Sequence, residues 1–385
     1  MLKSRLLLTL AAAPLLTALA GVAFADPIKI GVDQPLTGAF AASGNYIVEG
    51  AQIAAEEINA KGGVLGSKIE LVVEDNKSNP TQAASVAEKL IDRDHVPVIL
   101  GAWGSSLTLA VMPKLMQYQV PMLVETSSAS KITTQGNPYI FRISPPSWVE
   151  AAMFEKLVPK LGIKKVDFLA INNDWGRGTI DDFSKMFAKN GVAVGLKETM
   201  GEDDQDVSAQ LAKVKASDAD ALIVTTFVDQ LTLLLKQAAA LGLDKKIITT
   251  GGSQAPDQLI EQAGAAANNT MHLVFFAPWM PETSPHPDLA ARFIKAWGDK
   301  GYDKAGLTES YRGYDGIHVI AAAIEKAGKA DPAEIKDAFW KIDVPTINGD
   351  VKFIKDGPAG KESGQYMATG TLVEIKDGKI VKPSL

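Results

Sequence analysis

The alternation of strand-like and helix-like segments constrains the fold of this chain more than any other feature of its sequence. Short apolar runs that fit buried strands, at residues 28–32 and 96–100 for example, are separated by longer segments with helical spacing. In one of these, Ala51, Ala54 and Ile58 share a face and a glycine pair follows at its end. Strands joined through helices form parallel sheets, so the sequence predicts an α/β protein.

The alternation falls into two series, and each predicts a parallel sheet of its own. The first series has predicted strands at residues 28–32, 69–74, 96–100 and 121–124, and the second at residues 166–171, 221–225 and 247–250. Helices are expected at residues 81–94, 147–161, 287–300, 308–328 and 332–340, and β-hairpins over residues 351–381. No cofactor motif separates the series, so we expect two similar lobes that face each other across a cleft.

The first residues have the pattern of a secretory signal. Lys3 and Arg5 precede an apolar run at residues 6–20, and the small-x-small pattern of residues 23–25 stands before Asp26. We predict that residues 1–25 are removed on export. No later run is long and apolar enough to span a bilayer, because charged residues interrupt the helical stretches. The expected location is the periplasm.

Composition excludes several classes of function. The absence of cysteine excludes disulfides, thiolate metal sites and cysteine nucleophiles. Removing Lys3 and Arg5 with the signal takes the formal charge from −6 to −8, which argues against a nucleic-acid partner. Neither a G-x-S-x-G elbow nor histidines at metal-binding spacing are present, so we assign no catalytic residue, no metal and no cofactor.

Hydroxyl side chains follow two neighbouring strands of the first predicted sheet. Ser105 and Ser106 come after the strand at residues 96–100, where a helix is expected to begin near Leu107. Residues 126–128 follow the next strand. Ligands bind beyond the carboxyl ends of parallel strands, and the free amides of a helix start favour anions. We therefore predict a carboxylate-binding site here.

Trp175 is an apolar side chain in an unexpected place. It lies in a predicted loop, residues 172–178, among Asn, Asp, Gly and Arg. A large indole has little reason to be buried in such a loop except against a ligand or the opposite lobe. We expect it to cover the ligand.

Several motifs together resemble the periplasmic leucine/isoleucine/valine-binding protein family over essentially the whole mature chain. They are residues 35–38, 57–66, 74–76 with Asn79-Pro80, 101–106 and 174–178. The resemblance implies two Rossmann-like lobes with parallel sheets, joined by a three-crossover hinge: a type I periplasmic binding protein. It implies an N-terminal lobe of residues 26–144 plus 275–346 and a C-terminal lobe of residues 145–274 plus 347–385.

The resemblance also implies roles for residues of the first lobe. Ser105 or Ser106, together with Ser128, would hold the ligand carboxylate. The carbonyl of Thr126 would be available to an ammonium, and Trp103 would contact the ligand side chain.

In the second lobe the family's ligand aromatics match Trp175 and Phe227. After the strand at residues 247–250, the family carries an acid that pairs with the ligand ammonium, but this chain has Gly251-Gly252-Ser253-Gln254 there. We place Gly252 at the site. A buried ammonium needs a charged partner.

Two readings of this departure stay open. Either Asp174, Glu125 or Glu309 pairs the ammonium, or the ligand has no ammonium. We thus expect a monomeric receptor that captures a hydrophobic, branched-chain or aromatic amino acid and delivers it to an inner-membrane ABC permease. The alternatives are the same receptor for an aromatic or aliphatic acid without an amino group and, from another class, a secreted α/β enzyme.

Overall fold

The computed structural model describes residues 25–252 and 255–385. The predicted signal therefore lies outside the described residues except for Ala25, as do Ser253 and Gln254. The strands are β1 Ala25–Gln34, β2 Ser67–Asp75, β3 Ile99–Gly101, β4 Met122–Val124, β5 Ile140–Arg142, β6 Lys165–Ile171, β7 Ala193–Met200, β8 Ala221–Thr225, β9 Lys246–Thr249, β10 Thr270–Val274, β11 Val344–Thr346, β12 Gly349–Val351, β13 Ile354–Asp356, β14 Ser363–Gln365, β15 Thr371–Lys376 and β16 Lys379–Val381.

Helices follow most of the strands. They are α1 Ala41–Ala60, α2 Pro80–Glu88, α3 Ser105–Tyr118, α4 Lys131–Thr134, α5 Ser147–Glu155, α6 Val158–Leu161, α7 Asp174–Lys189, α8 Ser208–Ala216, α9 Val228–Ala240, α10 Pro256–Ala263, α11 Pro287–Asp299, α12 Leu307–Ala327 and α13 Pro332–Phe339. Asn79 caps α2 as its Asn-Pro sequence predicts, since its side chain accepts hydrogen bonds from the amides of Thr81 and Gln82.

Two seven-stranded sheets form the centres of the two lobes. The first has the order β13-β14-β5-β4-β3-β1-β2 and the second β16-β15-β10-β9-β8-β6-β7. Strands β1 and β3–β5 of the first sheet and β6 and β8–β10 of the second are parallel to one another, whereas β15 is antiparallel to both of its neighbours. Strands β3, β4, β6 and β8 are buried over nearly their whole length, which explains their continuous apolar sequences. The predicted fold class, two α/β lobes with mostly parallel sheets flanked by helices, is confirmed.

The third crossover of the chain between the lobes lies later in the sequence than expected. We expected residues 347–385 in the C-terminal lobe, but β14 pairs with β5 and β13 pairs with β14, so both strands extend the first sheet. Only β15 and β16 join the second sheet, where β15 pairs with β10. The chain therefore changes sheet between Gln365 and Thr371. The hairpin pattern in the tail does not indicate which sheet edge each hairpin will meet.

Several elements begin or end elsewhere than predicted. Helix α3 begins at Ser105 rather than near Leu107, and α7 begins at Asp174, so Trp175 is in a first helical turn and not in a loop. The helix expected at residues 147–161 is divided into α5 and α6. Strands β7 and β10 and helix α10 had no sequence prediction. β7 lies at a sheet edge and is half-buried, which leaves no clear apolar run.

Candidate functional site

A cavity of about 550 Å³, partly open to solvent, lies between the lobes. It is lined by loops at the carboxyl ends of strands of both sheets, as expected for parallel α/β lobes. The lining residues are Phe40, Ser78, Pro80, Trp103, Gly104, Ser105, Ser106, Leu107, Thr126, Ser127, Ser128, Asn173, Trp175, Glu202, Phe227 and Gly251. All predicted site residues except Gly252 are among them. We call this space the first chamber.

The start of α3 provides the anion-binding end of the first chamber. Gly104 is the residue before the helix, and no side chain caps the helix there. The amides of the first turn, from Ser105 onward, have no acceptor within the helix, and the helix dipole makes this end electropositive. The Ser105 hydroxyl oxygen accepts a hydrogen bond from the amide of Ala129 at 3.0 Å, which leaves its own hydrogen available to a ligand. This end suits a carboxylate.

Ser106 points to the other lobe. Its hydroxyl donates to Oδ2 of Asp174 at 2.9 Å, and Lys131 Nζ donates to Oδ1 of the same carboxylate at 2.6 Å. We call Ser106, Lys131 and Asp174 the interlobe latch. In this closed arrangement the Ser106 hydroxyl hydrogen is not available to a ligand carboxylate, although its amide still belongs to the helix start. Burial alone would raise the pKa of Asp174, but the hydrogen bonds from Lys131 and Ser106 outweigh it and lower that pKa.

The segment after β4 is more internally bonded than expected. The Thr126 carbonyl accepts from the hydroxyls of Ser128, at 3.2 Å, and Ser144, at 2.7 Å. A carbonyl oxygen has two lone pairs and both already have a donor here, so the role of this carbonyl toward an ammonium stays a prediction that competes with these internal hydrogen bonds. Ser127 donates to the carbonyl of Ala102 and stabilises the loop. Ser128 lines the chamber, as expected.

Four aromatic side chains form the apolar part of the first chamber. Phe40 and Trp103 come from the first lobe, Trp175 and Phe227 from the second, and we call them the aromatic wall. The Phe227 ring lies 4.9 Å from Phe40, 5.4 Å from Trp103 and 5.4 Å from Trp175, measured between ring centroids. The wall therefore spans the cleft.

Phe40 is a member of the wall that sequence reasoning missed. It lies in the loop of small residues after β1. A large aromatic side chain in such a loop has little reason to be buried except against a ligand or the other lobe, which is the argument made above for Trp175. The same reading would have identified it.

Trp175 is held against a glycine. It is 7% exposed, and its indole Nε1 has no hydrogen-bond partner in the described part of the chain. A Cβ atom added to Gly251, at φ +97°, would stand 2.1 Å from Cζ2 of Trp175. Gly251, rather than the predicted Gly252, therefore lines the chamber. The Gly252 carbonyl instead accepts a hydrogen bond from Arg312 Nη2 at 3.2 Å.

The three acids proposed for an ammonium lie in different places. Asp174 belongs to the interlobe latch. Glu125 is buried behind the first chamber, and its Oε1 accepts from Gln34 Nε2 at 2.8 Å. Glu309 also lies outside the first chamber, and its Oε2 accepts from Trp103 Nε1 at 3.1 Å. None of the three acids is among the residues that line the first chamber.

The acid that does line the first chamber is Glu202. It is exposed, and the structure places it at the chamber beside Asn173, whose Nδ2 donates to its Oε1 at 2.8 Å. Sequence spacing gave no sign of this, because the loop after the unpredicted strand β7 brings it there.

A buried charge cluster lies on the hinge side of the site. The Arg312 guanidinium is fully buried, with Nε 3.5 Å from Oε2 of Glu309, and Glu125 and Glu150 interact with its charge. Burial raises the pKa of both Glu125 and Glu150 to about 7, against the lowering effect of hydrogen bonds from Gln34 and from the Gly251 amide. The Glu150–Gly251 bond, at 2.9 Å, connects this cluster to the chamber.

Two α/β lobes whose sheets direct their carboxyl ends into one shared cavity define a class of binding protein that closes around its ligand. The chain belongs to the periplasmic binding protein family, whose model matches residues 27–379. The predicted resemblance is confirmed. In the described residues, none of the helices combines the length and apolar character needed to cross a membrane.

Relatives of the chain carry amino-acid-binding names. It is 28% identical over 334 residues to the leucine-, isoleucine-, valine-, threonine-, and alanine-binding protein of Pseudomonas aeruginosa, covering 86% of this chain and 87% of the relative. The leucine-binding protein LivK of Thermotoga maritima has a TM-score of 0.80 at 29% identity, covering 93% of this chain and 98% of that one. LivJ of Streptococcus pneumoniae, a branched-chain amino acid transporter substrate-binding protein solved with isoleucine, has a TM-score of 0.79 at 28% identity, covering 93% and 100%.

Proposed function

We propose that this protein is an extracytoplasmic receptor for a small carboxylate with an apolar body, which it delivers to an ABC permease. The uncapped start of α3 beside Ser105 carries the proposal, because it places unpaired amides and a hydroxyl at one end of a chamber whose other side is aromatic. The names of the relatives support transport of a hydrophobic amino acid.

Binding proceeds in two steps. The carboxylate first docks on the first lobe, at the amides of α3, at the Ser105 hydroxyl and beside Ser128, whose hydroxyl has to leave the Thr126 carbonyl in order to donate to it. The second lobe then closes, bringing Trp175 and Phe227 over the apolar body and forming the interlobe latch. A ligand that contacts both lobes stabilises the closed state, and the permease recognises that state.

A second candidate ligand is the matching acid without an amino group. The observation in its favour is that the Thr126 carbonyl and the Asp174 carboxylate, two of the acceptors expected to serve an ammonium, are already hydrogen-bonded within the protein, while the acid that lines the chamber, Glu202, is exposed and accepts from Asn173. An ammonium left without a partner in the chamber would be costly.

Pairs of ligands that differ only in the amino group separate the two candidates. We would measure thermal shifts and calorimetric affinities for leucine against 4-methylpentanoate and phenylalanine against 3-phenylpropanoate. Binding of either member supports the receptor role, and the tighter member of each pair identifies the class. Trp175→Ala and Ser105→Ala should each weaken binding about tenfold, the cost of roughly one lost contact of this kind. Unchanged affinity in both variants would place the site elsewhere.

The export signal and the absence of turnover are parts of the same proposal. We propose that the mature chain begins at Asp26 and resides in the periplasm as a monomer, which N-terminal sequencing and light scattering of the exported protein test. A ligand recovered chemically unchanged after prolonged incubation supports a receptor, whereas a modified ligand would favour the enzyme alternative.

A further inference from the structure

A second chamber, of about 600 Å³, lies between the lobes beside the first. The two chambers share three members of the aromatic wall, Phe40, Trp103 and Phe227. Residues of both lobes line it, among them Thr308 and Gln258. Closure of the lobes therefore encloses two neighbouring spaces, separated by aromatic rings.

The two chambers differ in electrostatic character. The first presents helix amides and hydroxyls, with the exposed carboxylate of Glu202 among its lining, whereas the ionisable lining of the second consists of Asp229, Glu309 and the phenol of Tyr46, with no lysine or arginine among its described lining residues. The pKa of Tyr46 is raised to about 12, first by burial and then by the acids Asp303, Glu49 and Asp229 around it. A cation is favoured in these surroundings.

Glu309 has one carboxylate oxygen without a partner. The residue is 5% exposed, and while Oε2 accepts from Trp103 Nε1 and lies near Arg312, Oε1 has no hydrogen-bond partner in the described part of the chain. A buried carboxylate oxygen left without a donor costs free energy. Arg312 offers little further compensation, since Glu125 and Glu150 also draw on its charge. A donor supplied by a ligand would satisfy Oε1.

We propose that the second chamber is a subsite for an alkylammonium group, with Glu309 as its charge partner and the rings of Phe40, Trp103, Phe227 and Tyr46 as its walls. Ammonium groups bind favourably against aromatic rings beside an acid. The subsite rests on the proposed function, in which the carboxylate end of the ligand binds in the first chamber. The amine comes either from the far end of the same ligand or from a second small molecule.

Three probes distinguish these sources in calorimetric titrations of the mature protein: hexanoate, hexylammonium and 6-aminohexanoate. If one ligand spans both chambers, 6-aminohexanoate binds about tenfold or more tightly than hexanoate, as expected for a charge-assisted hydrogen bond. If the amine is a separate molecule, hexylammonium binds in the presence of saturating hexanoate. Either result supports the subsite.

Glu309→Gln tests the charge partner, because the amide retains an acceptor for Trp103. We expect the amine-dependent affinity to fall about tenfold while hexanoate affinity stays within about threefold. Asp337→Asn, on the surface of α13, makes the same change in net charge and should alter neither the amine-dependent affinity nor the hexanoate affinity. Asp229→Asn, at the exposed side of the chamber, should reduce amine affinity less than Glu309→Gln.

The outcomes separate this inference from the proposed function. Hexylammonium binding that depends on Glu309 without any hexanoate binding would support the subsite and refute the carboxylate receptor. Equal affinity of the wild-type protein for hexanoate and 6-aminohexanoate with no binding of hexylammonium, or equal losses for amine and carboxylate in Glu309→Gln, would overturn the subsite. So would failure of all three probes to bind.

Discussion

The hydroxyl of Ser106, on the first lobe, donates a hydrogen bond to the carboxylate of Asp174, on the second, with 2.9 Å between Oγ and Oδ2. Both residues lie in the first turn of a helix, α3 and α7, so the two helix starts meet across the cleft. Lys131 adds its charge to the same carboxylate. The latch exists only when the lobes are closed, and it therefore contributes to the free energy of closure.

Weakening the latch should speed ligand release. Asp174→Asn removes the charge that Lys131 contacts, and a partly exposed pair of this kind is worth about 1 kcal/mol, or about fivefold in affinity. We expect this loss mainly in the dissociation rate, measured by stopped-flow fluorescence. The wild-type affinity should also fall between low salt and 0.5 M salt more than that of the variant.

A matched control for the latch is Lys213→Ala. It removes an ion pair with Glu198 that lies within the second lobe and does not cross the cleft. Its dissociation rate should equal that of the wild type. A dissociation rate unchanged in Asp174→Asn would mean that the latch does not contribute to closure.

Gly251→Ala should displace Trp175. The added Cβ would stand 2.1 Å from the indole at a backbone φ of +97°, so the ring has to move. Overpacking of this kind costs about 1–3 kcal/mol, and we expect ligand affinity to fall at least about tenfold. Calorimetry and urea unfolding measure the two effects.

The comparison variant for Gly251 is Gly178→Ala on α7. A Cβ there meets no atom within 4 Å, and alanine in a helix is about 0.5–1 kcal/mol more favourable than glycine. Gly178→Ala should therefore keep or raise stability without changing affinity. If Gly251→Ala likewise left stability and ligand affinity unchanged, the position of the Trp175 indole would not depend on a glycine at residue 251.

The buried acids predict that stability falls as pH rises. The folded-state pKa of Glu125 and Glu150 is about 7 and that of Asp33 about 8, each raised mainly by burial, so the folded protein binds protons more tightly than the unfolded chain. Their stabilising contribution is complete below the unfolded pKa near 4 and is lost as pH rises through 7–8. Urea unfolding should show this decline between about pH 5 and 8, and these groups should cause no further decline above about pH 9.

Glu150→Gln tests the origin of that slope. The amide oxygen can still accept from the Gly251 amide but no longer titrates, so the decline in unfolding free energy between about pH 5 and 7 should be smaller. Glu334→Gln, a half-exposed residue at the start of α13, should leave the slope unchanged. Equal slopes in all three proteins would exclude Glu150 as a contributor.

Removing the cation of the buried cluster should destabilise the protein strongly. Arg312→Gln leaves Glu125, Glu150 and Glu309 without their shared counter-charge, and breaking a buried ion pair from one side costs about 3–5 kcal/mol. The loss should grow from pH 6 to pH 8 as Glu125 and Glu150 ionise. The exposed Arg93→Gln should cost less than about 0.5 kcal/mol in the same urea titrations. If Arg312→Gln lowered the unfolding free energy by as little as Arg93→Gln, Arg312 would not be the cation that stabilises the buried acids.

Local sequence was sufficient wherever local chemistry decides the structure. Apolar runs determine the buried strands β3, β4, β6 and β8, because a strand covered on both faces needs apolar residues throughout. Asn79-Pro80 determines the start of α2. The hydroxyl residues that follow β3 and β4 likewise predicted one side of the chamber, because parallel strands bring their carboxyl ends to the same edge of the sheet.

Contacts between distant segments decided the rest. The sequence could not show that β13 and β14 extend the first sheet, because hairpins carry no label for the sheet edge that accepts them. It placed Trp175 in a loop, whereas Asn173 caps α7, and it offered Ser105 or Ser106 to the ligand carboxylate without showing that the Ser106 hydroxyl donates to Asp174 of the other lobe. The local pattern thus determined which residues reach the cleft, while the packing of one lobe against the other determined which partner each of them meets there.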